Sequence, residues 1–160
     1  MESVFSWEFP IPPDAIDGNG HVNNVRFVQW MQDIAVAHAA REGGTEAAKA
    51  AGGTWFVRSH HIDYLAQAFE TDRLVVQTWV VDFRRARSRR RFRFLRAADG
   101  AVLARAETEW VFVDGATGKP RAIPPEVSSR FAPTGEEDPV DKGSSDQHSN
   151  LNPRSRNYGE

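Results

Sequence analysis

The hydrophobic and polar positions of this chain predict one long helix placed between a short strand and four longer strands. Residues 4–9 alternate apolar and polar side chains, which is typical of a strand, and Pro10, Pro12 and Pro13 end it. From about His21 the period of the apolar positions changes to that of an amphipathic helix. The apolar stripe of this helix consists of Phe27, Trp30, Met31, Ile34 and Ala37.

After the helix, the sequence predicts strands separated by short turns. The glycine pairs at 43–44 and 52–53 enclose a further one or two helical turns. The segments rich in aromatic and β-branched residues are 55–65, 74–83, 87–96 and 101–113. Asp99-Gly100 has the composition of a tight hairpin turn, and consecutive strands joined by short turns pair antiparallel. The order therefore predicts an α+β domain in which one long helix lies across a five-stranded, mostly antiparallel sheet.

Length and composition limit the chain to one domain with a tail. A chain of 160 residues with 40% hydrophobic and 11% aromatic residues can bury one sizeable core, which excludes wholesale disorder. We place this domain at residues 1–132, because residues 133–160 become polar and irregular and predict a flexible C-terminal tail. No apolar run approaches the roughly 20 residues of a membrane helix, and the first residues lack a basic start. We therefore expect a cytoplasmic protein with no membrane contact.

The absence of cysteine removes several kinds of chemistry at once. With no cysteine in the sequence, disulfides, thiolate metal sites and a cysteine nucleophile are excluded. His60 and His61 lie in the middle of a predicted strand without the spacing of a metal site, so we expect no metal ion.

The charges are balanced overall but segregated along the chain. The net charge of −2 gives no argument for nucleic-acid binding. One stretch nevertheless carries eight arginines, and acidic residues gather near the C-terminus at Glu136, Glu137, Asp138 and Asp141. The eight are Arg84, Arg85, Arg87, Arg89, Arg90, Arg91, Arg93 and Arg96. Such a strip indicates an anionic ligand bound at one place. The alternative is a solvated strand face paired with Glu107 and Glu109, and we expect most of the eight on the surface.

The candidate chemistry lies in the run Asp17-Gly18-Asn19-Gly20-His21-Val22-Asn23-Asn24, just before the helical stripe. Glycines let the backbone bend sharply and let a ligand come close, and the first helical turn offers unpaired N–H groups. A carbonyl oxygen held there is polarised, and the carboxylate of Asp17 is positioned to attack it or to activate water. The alternative is structural: Asp17 and Asn19 cap the helix, while His21 and Asn23 hold the loop.

The extended motif resembles that of a known family. Asp-x-x-Gly-His-Val-Asn-Asn-x-x-(aromatic)-x-x-Trp, from Asp17 to Trp30, is similar to the signature of the 4-hydroxybenzoyl-CoA thioesterase family of hotdog-fold acyl-CoA thioesterases. The similarity runs from Val4 to about Pro125, and the segments 64–79 and 110–121 support it in combination. It implies a hotdog fold, an oligomer, and a catalytic carboxylate at Asp17.

The resemblance also implies roles for other residues of the motif. The backbone N–H that holds the carbonyl falls on or near Asn24. Gly20, His21 and Asn23 form the loop and the helix N-terminus, with His21 fixing the loop rather than reacting. Many family members carry tyrosine where this chain has Phe27.

Binding residues lie further along the chain. We expect Phe27, Trp30 and Trp55 to shape an apolar acyl pocket. The resemblance favours Arg84, Arg85 and Arg121 as the residues that bind CoA, because guanidinium groups suit its phosphates.

The sequence therefore predicts an acyl-CoA thioesterase that forms a homodimer or homotetramer. It needs no cofactor, since CoA is part of the substrate, and a carrier-protein thioester would suit the same chemistry. Asp17 acts as nucleophile or as general base. One alternative is a non-catalytic acyl-CoA-binding hotdog protein. The other is a hotdog enoyl-thioester hydratase, because Asp17-x-Asn19-x-His21 superficially resembles the dyad of those enzymes.

Overall fold

The computed structural model describes residues 2–140 and confirms the predicted order of strands and helices. A short 3-10 turn, Pro13–Ala15, follows the first strand. The strands are β1 (Phe5–Pro10), β2 (Gly53–Tyr64), β3 (Arg73–Arg84), β4 (Arg87–Arg96) and β5 (Val102–Asp114). The helices are α1 (Asn24–Arg41), α2 (Gly44–Ala50) and α3 (Pro125–Ser128).

The five strands form one antiparallel sheet in the order β1-β3-β4-β5-β2. The chain enters at one edge with β1, and after α1 it continues at the opposite edge with β2. Within residues 2–140, no further strand pairs with the outer edge of β1 or of β2. β2 has 12 residues and β1 has 6, so β2 forms the longer edge. Phe56 on β2 is 63% exposed.

The amphipathic helix α1 lies across one face of this sheet and forms the main core with it. Phe27, Met31 and Ile34 are buried from the helix. They join Phe92 and Phe94, which β4 presents on the same face. Burial of this apolar area stabilises the fold, and the sequence periodicity predicted which helix positions contribute it. Within residues 2–140, neither α1 nor a shorter helix has the length and apolar character needed to cross a membrane.

The opposite face of β4 carries an arginine ladder, defined here as Arg89, Arg91 and Arg93. Arg89 and Arg91 pair with Glu107 on β5 at 3.5 and 3.6 Å, which agrees with the alternative interpretation of the strip as a strand face with cross-strand partners. They also bind Glu136, with 2.8 Å between Arg91 Nη2 and the Glu136 carboxylate.

The segment after residue 133 is held on the sheet rather than free of it. The backbone N–H groups of Thr134 and Gly135 donate to the carbonyls of Val80 and Val81 at 3.0 and 2.9 Å. Asp138 binds Arg93 of the ladder. The sequence predicted a flexible tail over 133–160, and its first residues make these contacts with the sheet, while the flexibility of the segment stays a prediction. Residues 141–160 lie outside the described part.

The helix-facing side of β4 also contains a buried polar cluster. Arg90 is only 5% exposed, and its Nη1 donates to Nδ1 of His38 at 2.9 Å and to Oγ1 of Thr78 at 3.1 Å. The guanidinium group of arginine contains no hydrogen-bond acceptor atom. Nδ1 of His38 must therefore accept the hydrogen bond, and the imidazole proton lies on Nε2. Arg93 and Arg96 are as buried as Arg90, so three of the eight arginines lie inside, and the other five reach the surface fully or in part, as expected for most of the strip.

His38 predicts a pH dependence of stability. Burial, and then the charges of Arg90 and Arg41, lowers the pKa of its imidazole from 6.5 to about 4. Between these values the unfolded chain binds a proton that the folded chain excludes. The free energy of unfolding therefore decreases as the pH falls through this window, by about 3 kcal/mol in total. Urea denaturation at several pH values measures this decrease, and His38→Gln, which cannot titrate, should show a smaller one. An equal decrease in both proteins would contradict the assignment.

Candidate active site

The loop before α1 is closed by backbone hydrogen bonds. Ile16 and Val22 form an antiparallel bridge, and between them the Asp17 N–H donates to the His21 carbonyl at 2.8 Å. Gly20 has a φ of +79°, a left-handed conformation that glycine adopts without strain. This explains why a glycine stands at this position of the motif.

The loop also fixes the carboxylate of Asp17 from one side. Its Oδ1 accepts hydrogen bonds from the backbone N–H groups of Asn19 at 2.9 Å and His21 at 3.2 Å. No residue within 2–140 hydrogen-bonds to Oδ2. The carboxylate is therefore held in one orientation with one oxygen available for chemistry.

At the N-terminus of α1, the backbone N–H of Asn24 has no hydrogen-bond acceptor within residues 2–140. Asn23 is the N-cap, and its side chain accepts from the Val25 N–H at 3.0 Å. The N–H groups of Asn23 and Arg26 donate to the carbonyls of Ala15 and Asn23. Together with the partial positive charge of the helix terminus, the Asn24 N–H is suited to binding a developing oxyanion.

Asp17 and Asn24 line the same pocket, which has a volume of about 410 Å³. The loop of residues 17–22 and the first turn of α1 supply one side of it, and the end of β2 with the segment that follows supplies the other. The lining residues are Asp17, Asn19, His21, Val22, Asn24, Phe27 and residues 64–68. The structure thus brings together the residues that the sequence motif indicated for chemistry.

Tyr64 belongs to this site, and the sequence analysis assigned it no role. Its hydroxyl donates to the Asn24 carbonyl at 2.8 Å, and its ring packs edge-on against Phe27 with centroids 5.4 Å apart. It thereby fastens the end of β2 to the first turn of α1. An aromatic residue with a hydroxyl at the end of a strand was the available signal, but the contact joins residues 40 positions apart.

Two further residues of the motif have packing contacts. The His21 ring lines the pocket and meets Phe69 edge-on at 5.4 Å, and within residues 2–140 no hydrogen bond joins that ring to Asp17. Trp30 lies behind Phe27 at 5.5 Å and against Phe9 at 5.2 Å, and it is absent from the pocket lining. Phe27 therefore lines the pocket, whereas Trp30 supports it from the core, and an acyl-binding role for either residue stays a prediction.

Trp55 lies elsewhere in a single chain. It lines a second cavity of about 250 Å³, near the C-terminal half of α1 and the start of β2. The two cavities share no lining residue. Within one chain Trp55 therefore lies away from Phe27, because β2 is extended and its two ends lie far apart. That Trp55 helps to form the acyl pocket stays a prediction.

The predicted CoA-binding arginines also lie away from Asp17. Arg84 and Arg85 form the turn between β3 and β4, and the Arg85 carbonyl accepts from the Ile123 N–H. Arg121 donates to the Ala51 carbonyl at 2.7 Å. All three sit at the end of the sheet opposite to Asp17, and the ten residues of β4 span roughly 30 Å between the two ends. A single chain does not assemble them with the Asp17 pocket.

Comparisons with known proteins agree with this architecture. The sequence profile of the thioesterase-like superfamily matches residues 11–131. A 1,4-dihydroxy-2-naphthoyl-CoA thioesterase from Synechocystis superposes with a TM-score of 0.71 at 21% identity, covering 80% of this chain and 95% of that one. A hypothetical protein from Staphylococcus aureus, solved in complex with CoA, gives 0.72 at 17% identity, with 81% and 83% covered.

A probable thioesterase from Escherichia coli gives a TM-score of 0.71 at 18% identity and covers 81% of this chain and 96% of its own. No curated protein matches the sequence. At these identities the structural likeness is a likeness of fold.

Proposed function

This chain belongs to the thioesterase-like superfamily and is a thioester hydrolase, and we propose that it hydrolyses an acyl-CoA to a free acid and CoA in the Asp17 pocket. The predicted hotdog fold is confirmed. One observation carries the proposal. The oriented Asp17 carboxylate, with its free Oδ2, lines the same pocket as the uncommitted N–H of Asn24. A reacting carbonyl needs these two groups together.

In the proposed mechanism the thioester carbonyl oxygen accepts the Asn24 N–H, so that negative charge developing on it is stabilised. In one route Oδ2 of Asp17 attacks the carbonyl carbon, the carbon–sulfur bond breaks, and CoA leaves as a thiolate that takes a proton from solvent. Water then hydrolyses the mixed anhydride. In the other route Oδ2 takes a proton from a water molecule that attacks the same carbon directly. The carbon–sulfur bond then breaks, and the CoA thiolate leaves and takes up the proton.

CoA is the proposed carrier because one of the similar structures was solved with CoA bound. A carrier-protein thioester presents the same reacting atoms. Phe27 and Leu65 supply apolar side chains to a lining that is otherwise largely polar. On these two side chains rests the proposal of an acyl group of medium length, branched or aromatic, rather than a very short or highly charged one.

The test is thiol release from a panel of acyl-CoAs, followed with a disulfide reagent. The absence of cysteine in this chain removes the background signal of the protein itself. We expect turnover of one or a few apolar acyl-CoAs. Turnover of acyl-carrier-protein thioesters but not of acyl-CoAs would show that the acyl group is carried by a protein rather than by CoA. Binding of acyl-CoA without turnover would favour the non-catalytic alternative.

We further propose that the protein is a homodimer or a tetramer built from such dimers. A long edge strand with an exposed aromatic residue normally requires a partner. Within residues 2–140 no strand pairs with the outer edge of β2, and Phe56 is largely exposed. If β2 pairs antiparallel with its copy, the Gly53 end of one strand lies beside the Tyr64 end of the other. This arrangement would bring Trp55 of the partner subunit and the partner's Arg84 towards the Asp17 pocket.

Phe56→Glu should therefore produce a monomer, because a charge replaces an apolar side chain and would have to be desolvated at the interface. Light scattering after size-exclusion chromatography measures the mass of native and variant protein. Ala98→Glu, in the exposed turn between β4 and β5, is the matched control and should keep the native mass. A native protein that is monomeric, or a variant that stays dimeric, would overturn the proposed interface.

A further inference from the structure

The second cavity has apolar walls and one charged residue. It lies between the C-terminal half of α1 and the sheet, with a volume of about 250 Å³. Trp55, Trp110 and Phe131 supply aromatic walls, and Ala35 adds a small apolar surface from α1. The charged residue of the lining is Arg90. A buried guanidinium at an apolar cavity is unusual enough to require a physical reason.

Arg90 differs from the other buried arginines in having no anionic partner. Arg93 binds Asp138, and Arg96 lies 3.4 Å from Asp72 and 3.0 Å from Asp99. The two partners of Arg90 are instead the imidazole of His38 and the hydroxyl of Thr78. Within residues 2–140 no carboxylate lies at ion-pair distance from Arg90, and its Nε and Nη2 have no hydrogen-bond partner.

His38 and Thr78 cannot neutralise the positive charge of Arg90. The pKa of His38 is lowered to about 4, so its imidazole is neutral at physiological pH. The Thr78 hydroxyl already donates to the Arg91 carbonyl at 3.0 Å, so it can only accept from Arg90. Burial lowers the pKa of Arg90 to about 10, which leaves it charged near neutrality. A buried charge without a counter-ion is costly, and an anion entering the cavity would remove that cost.

We propose that this cavity binds a monocarboxylate with an apolar body, whose carboxylate pairs with Arg90. The apolar walls favour a hydrocarbon or aromatic body over a sugar or nucleotide. A single guanidinium with neutral neighbours balances one negative charge, which favours a carboxylate over a phosphate dianion. Since one water molecule occupies about 30 Å³, the volume corresponds to a ligand of roughly eight to ten non-hydrogen atoms.

The test compares octanoate with 1-octanol, which shares its chain but lacks the charge. Trp55 and Trp110 line the cavity, so tryptophan fluorescence and calorimetry both report binding. We expect octanoate to bind native protein at least roughly tenfold more tightly, as a charge-assisted buried hydrogen bond implies. Arg90→Met should abolish this preference, whereas Arg87→Met, at an exposed arginine of the same strand, should retain it. Equal affinity of the two ligands, or a preference that survives in Arg90→Met, would overturn the proposal.

Two further measurements keep the test decisive. Should Arg90→Met fail to fold, Arg90→Lys retains the charge and should still prefer octanoate, and the comparison on native protein needs no variant. Asp17→Asn should bind octanoate like the native protein, because the two cavities share no lining residue. Binding that persists without any thioester turnover would thus reject the proposed function and leave this site intact.

A turnover experiment distinguishes the two sources of such a carboxylate, and this arm rests on the proposed function. If the cavity takes the far end of the acyl group, octanedioyl-CoA should have a higher kcat/KM than octanoyl-CoA, and Arg90→Met should remove the difference. If the cavity instead binds a free carboxylic acid, octanedioyl-CoA and octanoyl-CoA should have similar kcat/KM values, and octanoate should still bind. Failure of octanoate binding together with no preference for octanedioyl-CoA would exclude both sources.

Discussion

Replacing Asp17 by asparagine should lower kcat for acyl-CoA hydrolysis by roughly 10²–10⁴-fold, the range that a general base or nucleophile contributes. The asparagine amide is neutral and cannot serve in either role. Its carbonyl oxygen can still accept the N–H groups of Asn19 and His21 that Asp17 now holds. The loop and the pocket should therefore persist, and KM should change little.

Thiol release measures this loss, and Asp14→Asn is its matched control. Asp14 is an exposed carboxylate of the same loop region, paired with Arg26 at 3.3 Å, and it is absent from the pocket lining. We expect this control to keep turnover within a few-fold of native. If Asp17→Asn retained turnover within tenfold of native, Asp17 would not be the catalytic residue.

Replacing Phe94 by alanine should lower the free energy of unfolding by about 3–5 kcal/mol, the usual cost of deleting a fully buried aromatic side chain. Phe94 has no exposed surface, and its ring contacts Phe27 edge-on at 5.0 Å. The deletion would leave a cavity under α1, where Phe27 also supports Trp30 and Tyr64. The Asp17 pocket should loosen as well, because Phe27 lines it.

Urea denaturation followed by circular dichroism measures this change through the midpoint, with an unchanged m-value. Val25→Ala is the control, because Val25 is 69% exposed in the first turn of α1 and should cost less than about 0.5 kcal/mol. A loss below about 1 kcal/mol for Phe94→Ala would contradict the packing of α1 on the sheet.

The sequence predicted the helices, the strands and the Asp17 loop because the interactions that form them join residues close together in the chain. The helical period placed Phe27, Met31 and Ile34 on the buried face of α1, and they lie there. The Asp17 loop depends on contacts two to four residues apart, between Asp17, Asn19 and His21, so a short motif could indicate it. The alternation along β4 likewise placed Arg90 on the face of Phe92. Its charge nevertheless suggested a surface position, because sequence alone does not show what covers a face.

Only the tertiary structure decided which distant groups meet. Tyr64 reaches Asn24 across 40 positions, Arg90 reaches His38 across 52, and Glu136 reaches Arg89 across 47. Trp55 lies away from Phe27, although both were predicted in one pocket. The physical reason is that periodicity fixes which residues share a face of a strand or helix. Which distant residues pack against that face depends on the order of the strands in the sheet and on the path of the chain from one sheet edge to the other.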